Sequence, residues 1–305
     1  FGIFYNGETG EVTALNASGR SGALATPEFF AVAELDRIPS IGPLSVSVPG
    51  AVAGWIDAHD RYGSMNFAEL LSTGIDYARN GFAVSSRLAQ DFEEQGQNLN
   101  DAGRDLYLPN SNPPKVGSLL RNPQLANSLE IVADQGKEGF YNGSIAQKLS
   151  AFITEQGGYL RQGDFASHTS TWVTPLRGDY LNHEFVVMPP NTQGVTQLAL
   201  FEMAKSHDLA SMTQNSADYL HTLVELKKLA FADRDRWVAD PNSANVPVDQ
   251  LLDADYLKNR AQLINMSVAA ESAEPGFGDE ILAEPNGNRS DAGDTVFITA
   301  VDQWG

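Results

Sequence analysis

Near the carboxyl end of the 305-residue sequence a polar stretch runs into an apolar one. Thr295-Val-Phe-Ile-Thr-Ala-Val301 is strongly β-forming and nearly all apolar, the pattern of a strand buried on both faces. The stretch before it, from Val268 to Gly293, is rich in Ala, Glu, Gly, Asn, Asp and Ser. Its one aromatic is Phe277, and it reads as a flexible surface segment. Thr295 stands at the joint. A Thr hydroxyl is a weak nucleophile unless a base lies beside it. Cleavage before Thr295 would create an α-amine of unperturbed pKa about 7.7–8.0, able to be that base. A rigid strand would fix the nucleophile, and a loose segment would let the Asp294–Thr295 bond be exposed. The plainer reading of the same residues is a Thr that opens an ordinary strand.

Composition removes several other chemistries. There are 39 acidic against 20 basic side chains, a formal net charge of −19. Such a surface repels phosphate backbones and anionic lipid, so a nucleic-acid or membrane-surface role is not expected. There is no cysteine, which excludes disulfides, thiolate metal sites and a cysteine nucleophile. No apolar run approaches the roughly 20 residues of a membrane span. Both ends look cut: the chain opens in a strand-like Phe1-Gly-Ile-Phe-Tyr5 and stops just after another strand-like run. The compartment stays open between bacterial-type periplasmic and cytoplasmic.

Local patterns alternate between the two regular periodicities. Gly2–Tyr5 and Val12–Leu15 flank turn residues 6–10 and predict a hairpin. Helices are predicted from Pro49 to Tyr62, from Asn66 to Gly81, from Asn122-Pro123 to Gly136 and from Ser144 to Gln156. Residues 101–118 read as a loop. Leu176–Leu181 and Glu184–Met188 read as strands around Asn182-His183. Ser216 to Trp237 reads as a long amphipathic helix with Leu220, Leu223, Val224 and Phe231 on its apolar stripe.

Taken in order, eight short segments resemble the gamma-glutamyltranspeptidase family along nearly the whole chain. Phe1 resembles the end of that family's glycine-rich run. Val48-Pro-Gly-Ala-Val-Ala-Gly-Trp55 resembles its Pro-Gly-x-Val-Ala-Gly segment. Tyr62-Gly-Ser-Met65, Ala78-Arg-Asn-Gly-Phe82 and Glu138-Gly-Phe-Tyr-Asn-Gly143 follow in register. So do Arg177-Gly-Asp-Tyr180, Met188-Pro-Pro-Asn-Thr-Gln-Gly194, Lys228-Leu-Ala-Phe-Ala-Asp-Arg234 with Asp240-Pro241, and Gly293-Asp-Thr-Val-Phe-Ile-Thr-Ala-Val-Asp302. The resemblance implies an α+β chain with the αββα sandwich of N-terminal-nucleophile hydrolases, requiring no cofactor or metal. It implies that residues 1–294 are the large-subunit region, with 268–294 the flexible segment before the processing site. Residues 295–305 would then begin a small subunit that remains its partner. It implies self-cleavage of the Asp294–Thr295 bond, with Thr295 then taking up the acyl group of a small amide substrate. Water as acceptor gives hydrolysis, of glutathione or another gamma-glutamyl amide, and an amine gives transpeptidation. The family's glycine oxyanion hole lies beyond Gly305, so the chain by itself is expected to be nearly inactive.

One departure bears on the substrate. The family carries an Arg followed by Glu after the first hairpin, and that Arg binds the glutamyl α-carboxylate. Here Ser18 and Gly19 stand at those positions. Ser cannot make a bidentate charged pair. Arg20 lies two residues on, which along a strand is the same face, so Ser18 and Arg20 are the candidate substrate-binding residues. The Ser-Gly-Arg stretch resembles cephalosporin or glutaryl acylases, an alternative specificity. A non-catalytic relative that kept the fold for binding is the other alternative. His59, His168, His183, His207 and His221 show no metal-ligand spacing and read as surface or structural residues. Asp233-Arg234-Asp235-Arg236 alternates charge and reads as a solvated or ion-paired helix face.

Overall fold

Helices start where short polar side chains can cap their free N–H groups. The computed structural model describes residues 1–35, 37–278 and 297–303, and in it Asn66 accepts hydrogen bonds from the Ala68 and Glu69 amides at the start of the Phe67–Asn80 helix. That helix stops at Gly81, whose φ of 98° suits a residue without a Cβ. Asn122 caps Pro123–Lys137 through the Leu125 amide, and Ser216 caps Ala217–Trp237 through the Tyr219 amide. The predicted loop at 101–118 contains a helix, Asp101–Tyr107. Asn100, just before that stretch, accepts from the Gly103 amide and starts the helix.

The chain divides into two units, Phe1–Asn16 with Trp172–Gly305, and Ala17–Thr171. The Ala17–Thr171 unit is mainly helical, with one short ladder between Phe82–Ala83 and Leu119–Leu120. Its core joins Val48, Val52, Val132, Ile145, Leu160 and Phe165. Tyr141 stitches this core to the start of the Ala51–Tyr62 helix. Its hydroxyl donates to Pro49 O at 2.8 Å and accepts from the Ala53 amide at 3.0 Å. Burial pushes the phenol pKa up, and the charge of Asp57 adds to the shift.

In the other unit the predicted hairpin forms, with Gly2 opposite Leu15 and Tyr5 opposite Val12. The sheet order continues to Thr171–Val173. Leu176–Tyr180 pairs with His183–Val187. The two-residue turn is Leu181-Asn182, one position earlier than predicted, with φ of 48° and 64°. Positive φ at both positions matches the right-handed twist of a hairpin. Helices Gly194–Ala204, Ala217–Trp237 and Ala254–Ala261 enclose a second core of Ala199, Met203, Leu226, Leu229, Ala230 and Leu257.

Two expectations are corrected. The Ala217–Trp237 helix does not bury the predicted stripe, since Leu220 and Val224 are nearly half exposed. It buries Thr222, Glu225, Leu226, Leu229, Ala230 and Asp233, a face with the right helical spacing that includes two carboxylates. The second correction concerns the strand after Thr295. Residues 297–301 are not in a strand, and Phe297 and Ile298 are more than 80% exposed. A strand needs a ladder partner, and none pairs with this run among the described residues.

Replacing Tyr141 by Phe leaves the Ala53 N–H and the Pro49 carbonyl without this partner. Tyr141→Phe is expected to destabilise the protein by about 1–3 kcal/mol, read from urea unfolding.

Candidate active site

The predicted nucleophile Thr295 and its neighbour Asp294 lie outside the described residues. Two described regions are candidates, each within its own unit: the segment carrying Ser18 and Arg20 in the Ala17–Thr171 unit, and the loop Met188–Gly194 in the other.

Ser18 and Arg20 sit in a segment without regular secondary structure just after the hairpin. This segment crosses residues 47–50 at very close range. The Val48 amide donates to Arg20 O at 2.9 Å. A Cβ on Gly19 would stand 1.7 Å from Val48 O, and one on Gly50 would stand 1.8 Å from Ala17 O. Neither contact is possible for a larger residue, so the two glycines let the two backbones touch. Ser18 is thereby held at a fixed height, half-buried, while Arg20 is exposed. Gly19 is a steric requirement of this crossing.

Behind the crossing lies His168, 7% exposed. A Cβ on Gly50 would come within 3.1 Å of His168 Nε2. The ring packs on Tyr141 with centroids 5.2 Å apart, and neither ring nitrogen has a protein hydrogen-bond partner. Burial lowers the imidazole pKa, and the charges of Arg20 and Lys137 lower it further against an opposing pull from Asp57. Lys137 is itself ion-paired to Asp57. The imidazole is therefore a neutral group in this layer. The sequence places His168 among residues of no special spacing, and only the packing singles it out. The other structural reading of a histidine holds as well: His59 is partly buried and bonds Met65 O at 2.7 Å.

The Met188–Gly194 loop is fixed by its own side chains. Thr192 Oγ1 donates to Met188 O or Pro189 O, at 2.9 and 3.0 Å, and accepts from the Gly194 amide at 3.3 Å. Asn16 Nδ2 donates to Asn191 Oδ1 at 3.0 Å, and Arg234 donates to Gln193 Oε1 at 3.0 Å. Met188, Thr192, Gln193 and Gly194 line an open cleft of about 520 Å³ with Phe1 and Phe231. The guanidinium of Arg234 lies 3.9 Å from the centre of the Phe231 ring. This is space of the right size for a small organic substrate, walled by apolar groups with amide and hydroxyl groups at one rim. Among the described residues no three His, Asp or Glu side chains converge as a metal site would need.

Comparison with known proteins bears on these pieces together. The family model described as Gamma-glutamyltranspeptidase matches residues 1–305. The chain is 32% identical over 279 residues to the glutathione hydrolase-like YwrD proenzyme of Bacillus subtilis, covering 90% of this chain and 53% of that protein. It is 32% identical over 276 residues to the acylase ACY 1 proenzyme of a Pseudomonas species, covering 88% and 47%. Among solved structures it resembles the gamma-glutamyltranspeptidase of Pseudomonas nitroreducens complexed with L-DON. There the TM-score is 0.82 at 29% identity, over 90% of this chain and 83% of that one. The chain spans about half the length of the curated relatives it matches.

The lowered pKa of His168 carries a pH dependence. Above its unfolded value of about 6.5 the ring is neutral in both states and full stability is present. Below it the unfolded chain takes up a proton that the folded chain resists, so stability falls as pH drops toward the folded pKa. Urea midpoints between pH 7.5 and 5.5 are expected to decline in the wild type. The decline should be shallower in His168→Gln, and equal slopes would refute the assignment.

Proposed function

Because this chain belongs to the gamma-glutamyltranspeptidase family, we propose that it is the amino-terminal half of an amide hydrolase and acyltransferase that activates itself by cutting before Thr295. Its fold is that of the family, the αββα sandwich of N-terminal-nucleophile hydrolases. The observation that carries the proposal is the extent of the family match, which runs through the Gly293-Asp294-Thr295 junction to residue 305.

In the proposed first step Thr295 Oγ attacks the Asp294 carbonyl carbon, and the C–N bond breaks as the proton passes to the departing nitrogen. Water then opens the resulting ester, leaving the Asp294 carboxylate and a Thr295 with a free hydroxyl and a free α-amine. In the second reaction the α-amine accepts the Thr295 hydroxyl proton while Oγ attacks the substrate amide. The amine product leaves with that proton. Water or a second amine releases the acyl group and restores Thr295. Neither reaction calls on a cofactor.

The acyl group is set by what faces its far end. Glutathione or another gamma-glutamyl amide is the first substrate class we propose. The relative named glutathione hydrolase-like supports it, and Arg20, two residues after Ser18, supplies a positive charge for an α-carboxylate. A cephalosporin- or glutaryl-type acylase activity is the second. The Ser18-Gly-Arg20 stretch and the equally similar Pseudomonas acylase favour it. The exposure of Arg20 fits either, because both acyl groups end in a carboxylate.

Intact-mass measurement on the full-length protein tests the nucleophile. Two fragments meeting between Asp294 and Thr295 are expected from the wild type and one uncut chain from Thr295→Ala. A wild type that stays whole would move the assignment to a non-catalytic relative. On the processed enzyme, rates with gamma-glutamyl and glutaryl anilides decide between the two substrate classes. Ser18→Arg is expected to raise kcat/KM for the gamma-glutamyl anilide relative to the uncharged butyryl anilide by about tenfold, as one added charge-assisted hydrogen bond would.

A further inference from the structure

The residues that lead toward the processing junction are held down. Residues 268–278 form neither helix nor strand, yet they are tied at three points to helices Ala217–Trp237 and Ala254–Ala261. At the first, Ala270 donates its amide to Glu225 Oε2 at 3.3 Å and accepts from Lys228 Nζ at 2.5 Å. At the second, Glu274 O accepts from Arg260 Nη2 at 2.8 Å. At the third, the Gly276 amide donates to Asp233 Oδ1 at 2.8 Å.

The third point is a built socket. Asp233 and Arg260 are 4% and 5% exposed and pair at 3.3 Å. Tyr256 donates its hydroxyl to the other carboxylate oxygen of Asp233 at 2.7 Å. Burial and that carboxylate both push the Tyr256 pKa up, so the phenol stays protonated and remains a donor. The chain fits the socket through small residues on either side of an aromatic one. A Cβ on Gly276 would stand 2.1 Å from the Tyr256 hydroxyl oxygen. Gly278 has φ of 94°, and a Cβ there would stand 2.6 Å from Trp237 Cζ2. Between them Phe277 stacks on Trp237 with centroids 4.9 Å apart and meets Tyr256 edge-on at 5.2 Å. A free loop would have no need of a buried carboxylate, two constrained glycines and a stacked aromatic.

We propose that Gly276-Phe277-Gly278, seated in the socket of Asp233, Trp237, Tyr256 and Arg260, is a latch that positions the downstream Asp294–Thr295 bond for self-cleavage. The proposal rests on the reading of Thr295 given above. The latch residues act through the chain that follows them and take no part in bond making. Gly278 is 17 residues before Thr295, whereas the end of the Ala254–Ala261 helix is 34 residues before it. With the latch released, the nearest tie outside the socket is Ala270, 25 residues before Thr295 against 17 for Gly278. Effective concentration falls roughly as the −3/2 power of tether length, so self-cleavage should slow by about twofold.

The test uses full-length protein made uncut and followed by intact mass as it cleaves. The variants are Phe277→Ala and Gly276→Ala, both on the tether, and Tyr256→Phe, which removes one hydrogen bond to Asp233. Each is also made in a form with a site-specific protease sequence ending just before Thr295, so that the cut can be supplied externally. The expected result is self-cleavage slowed about twofold in all three variants, with normal amide hydrolysis once the bond has been cut externally. Variants that cleave as fast as the wild type overturn the latch while leaving the Thr295 reading intact. Variants that lose hydrolysis even after the external cut also overturn it, because the socket is then a general support of the fold. A wild type that never cleaves at 294–295 removes the Thr295 reading, and the latch with it.

Discussion

The carboxylate of Asp233 is the point on which the Trp172–Gly305 unit turns. It sits near the carboxyl end of the Ala217–Trp237 helix and holds an arginine from a second helix, a tyrosine from the same second helix, and an amide from an irregular segment. Buried charges are tolerated only when their partners are complete. Removing one partner from such a pair typically costs about 3–5 kcal/mol, far more than the roughly 0–1 kcal/mol of an exposed pair such as Arg87–Asp91. The apolar contacts of Leu226, Leu229 and Leu257 around it supply the driving force. The carboxylate adds geometry, since it can be satisfied in only one arrangement of the three segments.

The Ala17–Thr171 unit relies on a different constraint, the close crossing of two backbones. Gly19 and Gly50 remove the Cβ atoms that would separate them, and Tyr141 fills the space behind with its hydroxyl committed at both ends. A carboxylate side chain at position 19 would collide with Val48 O. The segment that faces substrate in our proposal thus has its shape set by packing and its charge set by Arg20 alone.

Much of the fold was readable in the residues because capping and turn chemistry are local. Asn66, Asn122 and Ser216 each cap the helix they were read to start, and the first hairpin forms with the expected pairing. What escaped was decided at a distance. The Ala217–Trp237 helix was assigned the wrong face because its buried side carries Glu225 and Asp233, which look solvent-seeking until Lys228 and Arg260 are placed beside them. The Asp101–Tyr107 helix was hidden in a stretch whose Asn, Pro, Gly and Asp content reads as loop. His168 gave no signal at all, since nothing in its neighbours along the chain says that it will be enclosed. The candidate site divides the same way. Ser18 and Arg20 could be named from the family pattern, but the steric reason for the glycine between them is visible only in the folded chain.

The solvent-facing Phe297, Ile298 and Val301 have a consequence for how the protein must be made. This β-forming run has no ladder partner among the described residues, and an extended run in that state offers its N–H and C=O groups to any other extended chain. The acidic surface opposes close approach of two copies, but this run itself carries no charge from Val296 to Val301. During synthesis the run is therefore in a contest between joining a sheet of its own molecule and joining one of a neighbour. Crowding and a slow search favour the neighbour, and dilution or a waiting partner strand favours the native outcome.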